Sequence, residues 1–209
     1  GRSVSGHGAW NLGVPLPPDT RTIAAELAQD GYRTGAIGKV HLTPQVRGCP
    51  EYPENEDFWN ADPEPEWHGP YFGFDHVDLF VGHSKLIGHY GQYIKHDHPD
   101  LIDRYDRKFA LKPPTGAPHS WKCGFPIEHH SCTWIGDRAI DFLKQADDRP
   151  FFLQCSFPFP HFPFAPPDPY CYQYEPDEMV LPRESEGDLA GKPPHVAQAF
   201  HSKGAEGPT

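Results

Sequence analysis

The stretch Gly31-Tyr32-Arg33-Thr34-Gly35-Ala36-Ile37-Gly38-Lys39-Val40-His41 decides the fold. Asp30-Gly31 reads as a helix stop, because glycine adopts positive φ at little cost. Arg33 to Gly38 then reads as a short strand centred on Ala36 and Ile37. The strand delivers Lys39 and His41, two positions apart. A fixed cation beside a titratable imidazole, just past a strand, suits the handling of an anion.

Upstream, Thr20 or Thr22 caps a helix over Ile23 to Gln29, with Ile23 and Leu27 on one face beside Ala24 and Ala25. Residues 1–18 are Gly/Pro-rich and read as loop. Helix, turn, strand and loop in that order are the grammar of an α/β sheet. Downstream, from Leu42 to Ser120, prolines, acids and aromatics dominate. There one strand is expected at Asp75 to Val81, where Val77, Leu79 and Val81 alternate. Regular structure returns at Ser131. Ile135, Ala139, Phe142, Leu143 and Ala146 form one apolar stripe on a helix ending near Asp147. Phe151 to Phe157 is nearly continuous in apolar residues, which predicts a strand buried on both faces. It runs into Pro158-Phe159-Pro160-His161, a loop stiffened by its prolines. Beyond Leu181 the chain is polar and Gly/Pro-containing and reaches Thr209 without the stop signal of any element, which reads as truncation inside a domain.

The totals narrow the function. Of 209 residues, 18 are basic and 29 acidic, a net charge of -11. A nucleic-acid binder shows a basic face, so none is expected as a partner. No apolar run is long enough for a membrane span. The only methionine is Met179 and the chain opens at Gly1, so residue 1 is read as an internal position of a longer polypeptide. The compartment therefore stays open between periplasmic, secreted and cytoplasmic. Five cysteines lie without a C-x-x-C pair, which leaves zinc-ribbon and thioredoxin readings without support. Cys132 and Cys155, in apolar segments, are expected to be buried. The 26 prolines and 20 glycines point to long ordered loops over a modest core.

Two strand–loop junctions carry candidate chemistry: Gly38-Lys39-Val40-His41 and Pro158-Phe159-Pro160-His161. Ligands in open α/β sheets bind beyond the carboxyl ends of strands. Lys39, His41 and His161 should therefore converge on one sheet edge, as donors and proton carriers for a tetrahedral anion. Each alone reads as a solvated surface residue; the combination carries the weight. His96-Asp97-His98 has the i, i+2 spacing of a strand chelate, but a solvated loop is the preferred reading. Glu128-His129-His130 reads as a capping segment or a pocket wall, and Asp75 and Asp78 as structural.

Several motifs together resemble the sulfatase family of the alkaline-phosphatase-like superfamily. Residues 22–41, including G-Y-R-T-G-A-I-G-K-V-H, are similar to the family's segment from its first helix to its Lys/His strand end. Gly1-Arg2 resembles the close of the first family signature. W-I-G-D-R-A-I-D-F at 134–142 and P-F-F-L-Q-C-S-F-P-F-P-H-F-P-F-A-P at 150–166 resemble the later helix and histidine-bearing strand. F-G-F-D-H-V at 72–77 and H-Y-G-Q-Y-I at 89–94 extend the likeness across most of residues 1–182. Val40 departs from the aromatic usual there.

The resemblance implies an α/β fold. It is a partial alkaline-phosphatase-like sandwich, its central mostly parallel sheet flanked by helices and carrying a long loop-rich insertion. Residues 1–41 and 121–182 would be core helix–strand units of an incomplete catalytic domain, 42–120 the insertion and 183–209 a truncated tail. It implies a sulfuric ester hydrolase with a formylglycine made from Cys or Ser in C/S-x-P-S-R. That motif does not occur in these residues, and is expected upstream of residue 1. Lys39 would bind a sulfate oxygen, His41 would hydrogen-bond the formylglycine, and His161 would protonate the leaving alcohol. Asn11 and His129 join Lys39 as substrate-binding candidates. A calcium ion is implied with ligands outside this chain, so no metal ligand is assigned within it. The partner would be a small-molecule or saccharide sulfate ester. Two alternatives stand: a phosphonate or phosphodiester hydrolase of the same superfamily, and a non-catalytic histidine-rich metal- or carbohydrate-binding module.

Overall fold

The structure, a computed structural model, describes residues 1–204 apart from residues 46, 62, 83–84, 118, 146–147 and 181–186, with backbone alone at 200–204. In chain order the elements are α1 (Val4–His7), α2 (Ile23–Gln29), β1 (Arg33–Gly38), α3 (Glu56–Trp59), β2 (His76–Leu79), α4 (Gly88–Asp97), α5 (Ser131–Lys144), β3 (Phe151–Ser156) and α6 (Pro194–Gly204). Short single-turn helices fill several of the connections.

Thr22 starts α2 as the spacing predicts: its hydroxyl oxygen accepts from Ala25 N at 3.1 Å and its own proton goes to Phe72 O at 2.6 Å. Gly31, at φ 85°, turns the chain into β1. The strands form one parallel sheet in the order β2-β1-β3. Gly38 is level with both Leu79 and Ser156, so all three strands end on one edge.

Side chains alternate across the sheet, so Ala36 and Ile37 enter different cores. Ile37 packs with Phe80, Tyr90, Ile94, Ile135 and Phe142 under α4 and α5. Ala36 packs with Val77, Leu79, Val40, Trp59 and Phe74 on the other side. Each fully buried Ile, Val or Leu contributes about 1.5–3 kcal/mol. Gly35 lets α5 close on the sheet: a Cβ there would stand 2.6 Å from the Phe142 ring. Arg33 caps the same contact, with its guanidinium 4.0 Å from the centre of that ring and Nη1 donating to Phe142 O at 2.7 Å.

Several expectations need correction. Ile23 is 67 % exposed, while Ala24 is the buried residue of α2. The 71–74 turn comes so close to Ala25 that only small side chains fit between helix and turn. β3 is not buried on both faces. Phe151 is 50 % exposed and Cys155 is exposed, because β3 lies at the sheet edge and no strand among the described residues covers its far side. Cys132 is half-buried. β2 is shorter than its alternation suggests: it ends at Leu79, and Phe80, whose N–H still donates to Gly38 O at 3.0 Å, bridges Gly88. On α5, Leu143 is exposed, and Ala146 and Asp147 lie outside the described residues. Residues 96–97 belong to α4, and His96 is drawn to Glu64 at 2.8 Å while His98 stacks on His129. The two rings thus part, and the 96–98 chelate does not form. α6 lies within the segment read as a truncated tail.

Candidate active site

Three loops leave the common strand edge and meet at Lys39. Its backbone N–H donates to Ser156 O at 2.9 Å, so the junctions after β1 and β3 depart side by side. Its Nζ donates to Gln45 Oε1 at 3.2 Å and to Gly82 O, in the loop after β2, at 3.3 Å. Gly38 makes this convergence possible. It sits at φ 97°, and a Cβ would lie 2.0 Å from Ser156 O.

Beneath Lys39 lies a buried carboxylate. Glu54 is fully buried, and its Oε1 accepts from Leu42 N at 2.6 Å, Thr43 N at 3.0 Å and Tyr71 Oη at 2.9 Å. Gln45 Nε2 donates to Oε2 at 3.2 Å, which links the carboxylate to the residue holding the lysine. Burial pushes the Lys39 ammonium below the usual lysine range, and the Glu54 charge works against that shift. The same burial and the Glu54 charge raise the Tyr71 phenol, keeping it a neutral donor. Glu54 therefore fixes the 42–45 turn that follows His41.

His41 is exposed and lines a cleft of about 540 Å³ with His7, Trp10, Asn11, Leu12 and Val14. The structure thus brings Asn11 and His41 together. Neither Lys39 nor His161 lines that cleft. His161 is exposed in the loop after β3, where Nδ1 lies 2.7 Å from Phe162 O and so carries the donated proton. That leaves Nε2 as the basic nitrogen of the neutral ring. Behind this loop opens a second cleft of about 540 Å³, lined by apolar groups including Phe159, Pro160, Phe164 and Tyr170, and by His130. His129 stands apart, with Nδ1 2.7 Å from Tyr93 Oη and its ring 3.8 Å from that of His98.

Sequence reading missed Glu54 and Gln45. Glu54 lies among Glu51, Glu56 and Asp57, and nothing in that acidic run marks one member as buried. His130 fulfils the capping reading: its ring nitrogen accepts from Cys132 N at 3.3 Å at the start of α5. Burial pushes this imidazole down to about 4.

Among the described residues, one group gathers three metal-ligating side chains: His68, His76 and Asp78. Two imidazoles and one carboxylate are a poor match for calcium, which takes oxygen ligands. No helix among the described residues is long and apolar enough to cross a membrane.

Known proteins extend these observations. A multifunctional alkaline phosphatase superfamily protein of Trinickia caryophylli is 32% identical over 222 residues, covering 99% of this chain and 40% of its own length. An arylsulfatase of Clostridium perfringens is 29% identical over 218 residues, covering 92% of this chain and 37% of its own length. The chain therefore spans about two fifths of these curated relatives. The phosphonate monoester hydrolase of Agrobacterium radiobacter superposes with a TM-score of 0.55 at 22% identity, covering 85% of this chain and 33% of its own, which shows the alkaline-phosphatase-like fold. The sulfatase family model matches residues 1–198, taking in the Lys39 junction, the His161 loop and all three strands, and the chain belongs to the sulfatase family.

Proposed function

We propose that this chain supplies the anion-binding and proton-transferring side of a sulfuric ester hydrolase. The observation that carries the proposal is the meeting of three strand-end loops at a half-buried lysine, two residues before a histidine. Lys39 is the donor to a sulfate oxygen. Desolvation strengthens its attraction for an anion, and its tether to Gln45 and Gly82 holds it in place. His41 takes a proton at the nucleophile, and His161, once protonated at Nε2 as well as Nδ1, gives the Nε2 proton to the departing alcohol and returns to the neutral ring. Asn11, beside His41, is a proposed substrate contact; His129, which stands apart, is not. The apolar cleft behind the His161 loop suits an apolar alcohol portion.

The proposal assigns no nucleophile within residues 1–209, because no C/S-x-P-S-R occurs there; a formylglycine would supply a hydrated aldehyde oxygen as the attacking group. No donor cluster among the described residues fits calcium, so no step is routed through it.

The test uses the native gene product containing residues 1–209, with nitrophenyl sulfate and a nitrophenyl phosphonate as substrates. Preference for the sulfate supports the proposal. Lys39→Ala should lower kcat/KM by about a hundred- to a thousandfold. His161→Ala should harm an alkyl sulfate more than a nitrophenyl sulfate, because the poorer leaving group needs the proton more. Sulfate turnover unaffected by Lys39→Ala would reject it. A second reading, phosphonate or phosphodiester hydrolysis, draws support from the 32% identical relative described as multifunctional. A preference for the phosphonate would favour it.

A further inference from the structure

We propose that His68, His76 and Asp78 form a site for a divalent transition-metal ion of the zinc class, separate from the strand-edge site. His76 and Asp78 are two positions apart on β2 and so share one face. His68 comes from the preceding loop, which is drawn along the outer edge of β2 by the bond from Val77 N to His68 O at 2.9 Å. The three ligand atoms lie within 4.8 Å of one another. His68 Nδ1 stands 2.9 Å from one oxygen of Asp78, and His76 Nε2 stands 3.0 Å from the other. Ligands of tetrahedral zinc, at about 2.0–2.1 Å from the metal, are about 3.3 Å apart. Small side-chain rotations therefore open room for an ion among these atoms.

The surroundings hold the donors in place. The Asp78 side chain is 8 % exposed, whereas those of His68 and His76 are 55 % and 39 % exposed, so the carboxylate is fixed at the base and the imidazoles face an open entrance. His89 backs the ring of His68 at 4.3 Å between centres. Both of its own nitrogens are committed to the backbone: Nδ1 accepts from Leu79 N at 2.8 Å, and Nε2 donates to Trp67 O at 2.6 Å. His89 is thus a support that ties the His68 loop to β2, and it does not compete for the metal. This is the outer-shell bracing that orients metal ligands.

Two nitrogens and one oxygen select zinc or its neighbours over calcium or magnesium. With three protein ligands, the fourth position falls to water. The site is also separate from the candidate active site. His76 is level with Gly35 and Asp78 with Ile37, three residues and one residue before Gly38, so the group lies along β2 below the edge where Lys39 emerges.

The test is titration of the chain with Zn²⁺ against a chromophoric chelator, with circular dichroism to verify folding. The expected result is one equivalent bound with Kd at or below about 10 µM. His68→Ala and His76→Ala, which change partly exposed side chains, should remain folded and weaken binding at least about tenfold. His96→Ala should leave binding unchanged, and excess Ca²⁺ should not displace zinc. Co²⁺ bound to the chain should give the intense visible bands of a four-coordinate ion, lost in His76→Ala. Absence of stoichiometric uptake overturns the proposal. So does uptake unaffected by both His68→Ala and His76→Ala, or abolished by His96→Ala.

Discussion

Removing the Glu54 side chain should unfasten the turn behind Lys39. In Glu54→Ala the backbone N–H groups of Leu42 and Thr43 lose a charged acceptor. Tyr71 keeps its contact with Thr43 Oγ1 at 2.8 Å, and Gln45 Nε2 keeps Val40 O at 3.3 Å, so the uncompensated loss falls on the two amides. A buried donor left without a partner costs about 1–3 kcal/mol. Two of them, plus the loss of a negative charge near Lys39, give an expected destabilisation of about 3–5 kcal/mol, the range seen when one member of a buried charged network is removed. With a urea m-value of about 2 kcal/mol/M, the midpoint should fall by about 2 M. Tryptophan fluorescence follows it, since Trp59 and Trp67 pack nearby. Glu54→Gln separates charge from geometry. An amide oxygen at the Oε1 position retains the bonds from Leu42, Thr43 and Tyr71, while the new NH₂ opposes Gln45 Nε2. A smaller loss of about 1–2 kcal/mol is expected. If Glu54→Ala lies within about 0.5 kcal/mol of the parent, the carboxylate does not anchor the turn and this account of the site is wrong.

Other outcomes follow from the same packing. Gly38→Ala forces a Cβ onto Ser156 O at a positive φ, and should cost about 3 kcal/mol or more with Lys39 displaced; a variant as stable as the parent contradicts the strand-end geometry. Burial pushes His89 and His130 down to about 4, against about 6.5 when unfolded, so between these values the unfolded chain binds more protons. Stability should be intact above about pH 6.5 and fall toward about pH 4; His130→Asn, which keeps an acceptor at the start of α5, should flatten the slope of Tm against pH by about half, and an unchanged slope would refute the assignment. Cys155 is exposed and Cys123 buried, so a thiol reagent should label Cys155 in the folded chain and Cys123 only after denaturation. Mass spectrometry of the labelled peptides decides this.

Local rules made much of the framework legible. Thr22 as cap, Gly31 as stop and Arg33–Gly38 as strand follow from residue types within one turn of each other, and all three are observed. The placement of Lys39 and His161 after strands was equally readable, since strand ends need only periodicity and punctuation. The amino-acid order alone thus determined the helix–strand grammar and which residues stand at the strand edge, while its motifs carried the resemblance to the sulfatase family. Tertiary structure alone decided burial and charge pairing: that β3 is an edge strand with Cys155 outward, that one acid of an acidic run becomes the buried anchor Glu54, and that His68 reaches Asp78. The physical reason is range. Backbone propensity acts between neighbours in sequence, whereas desolvation and ion pairing depend on which distant segments the folded chain brings together.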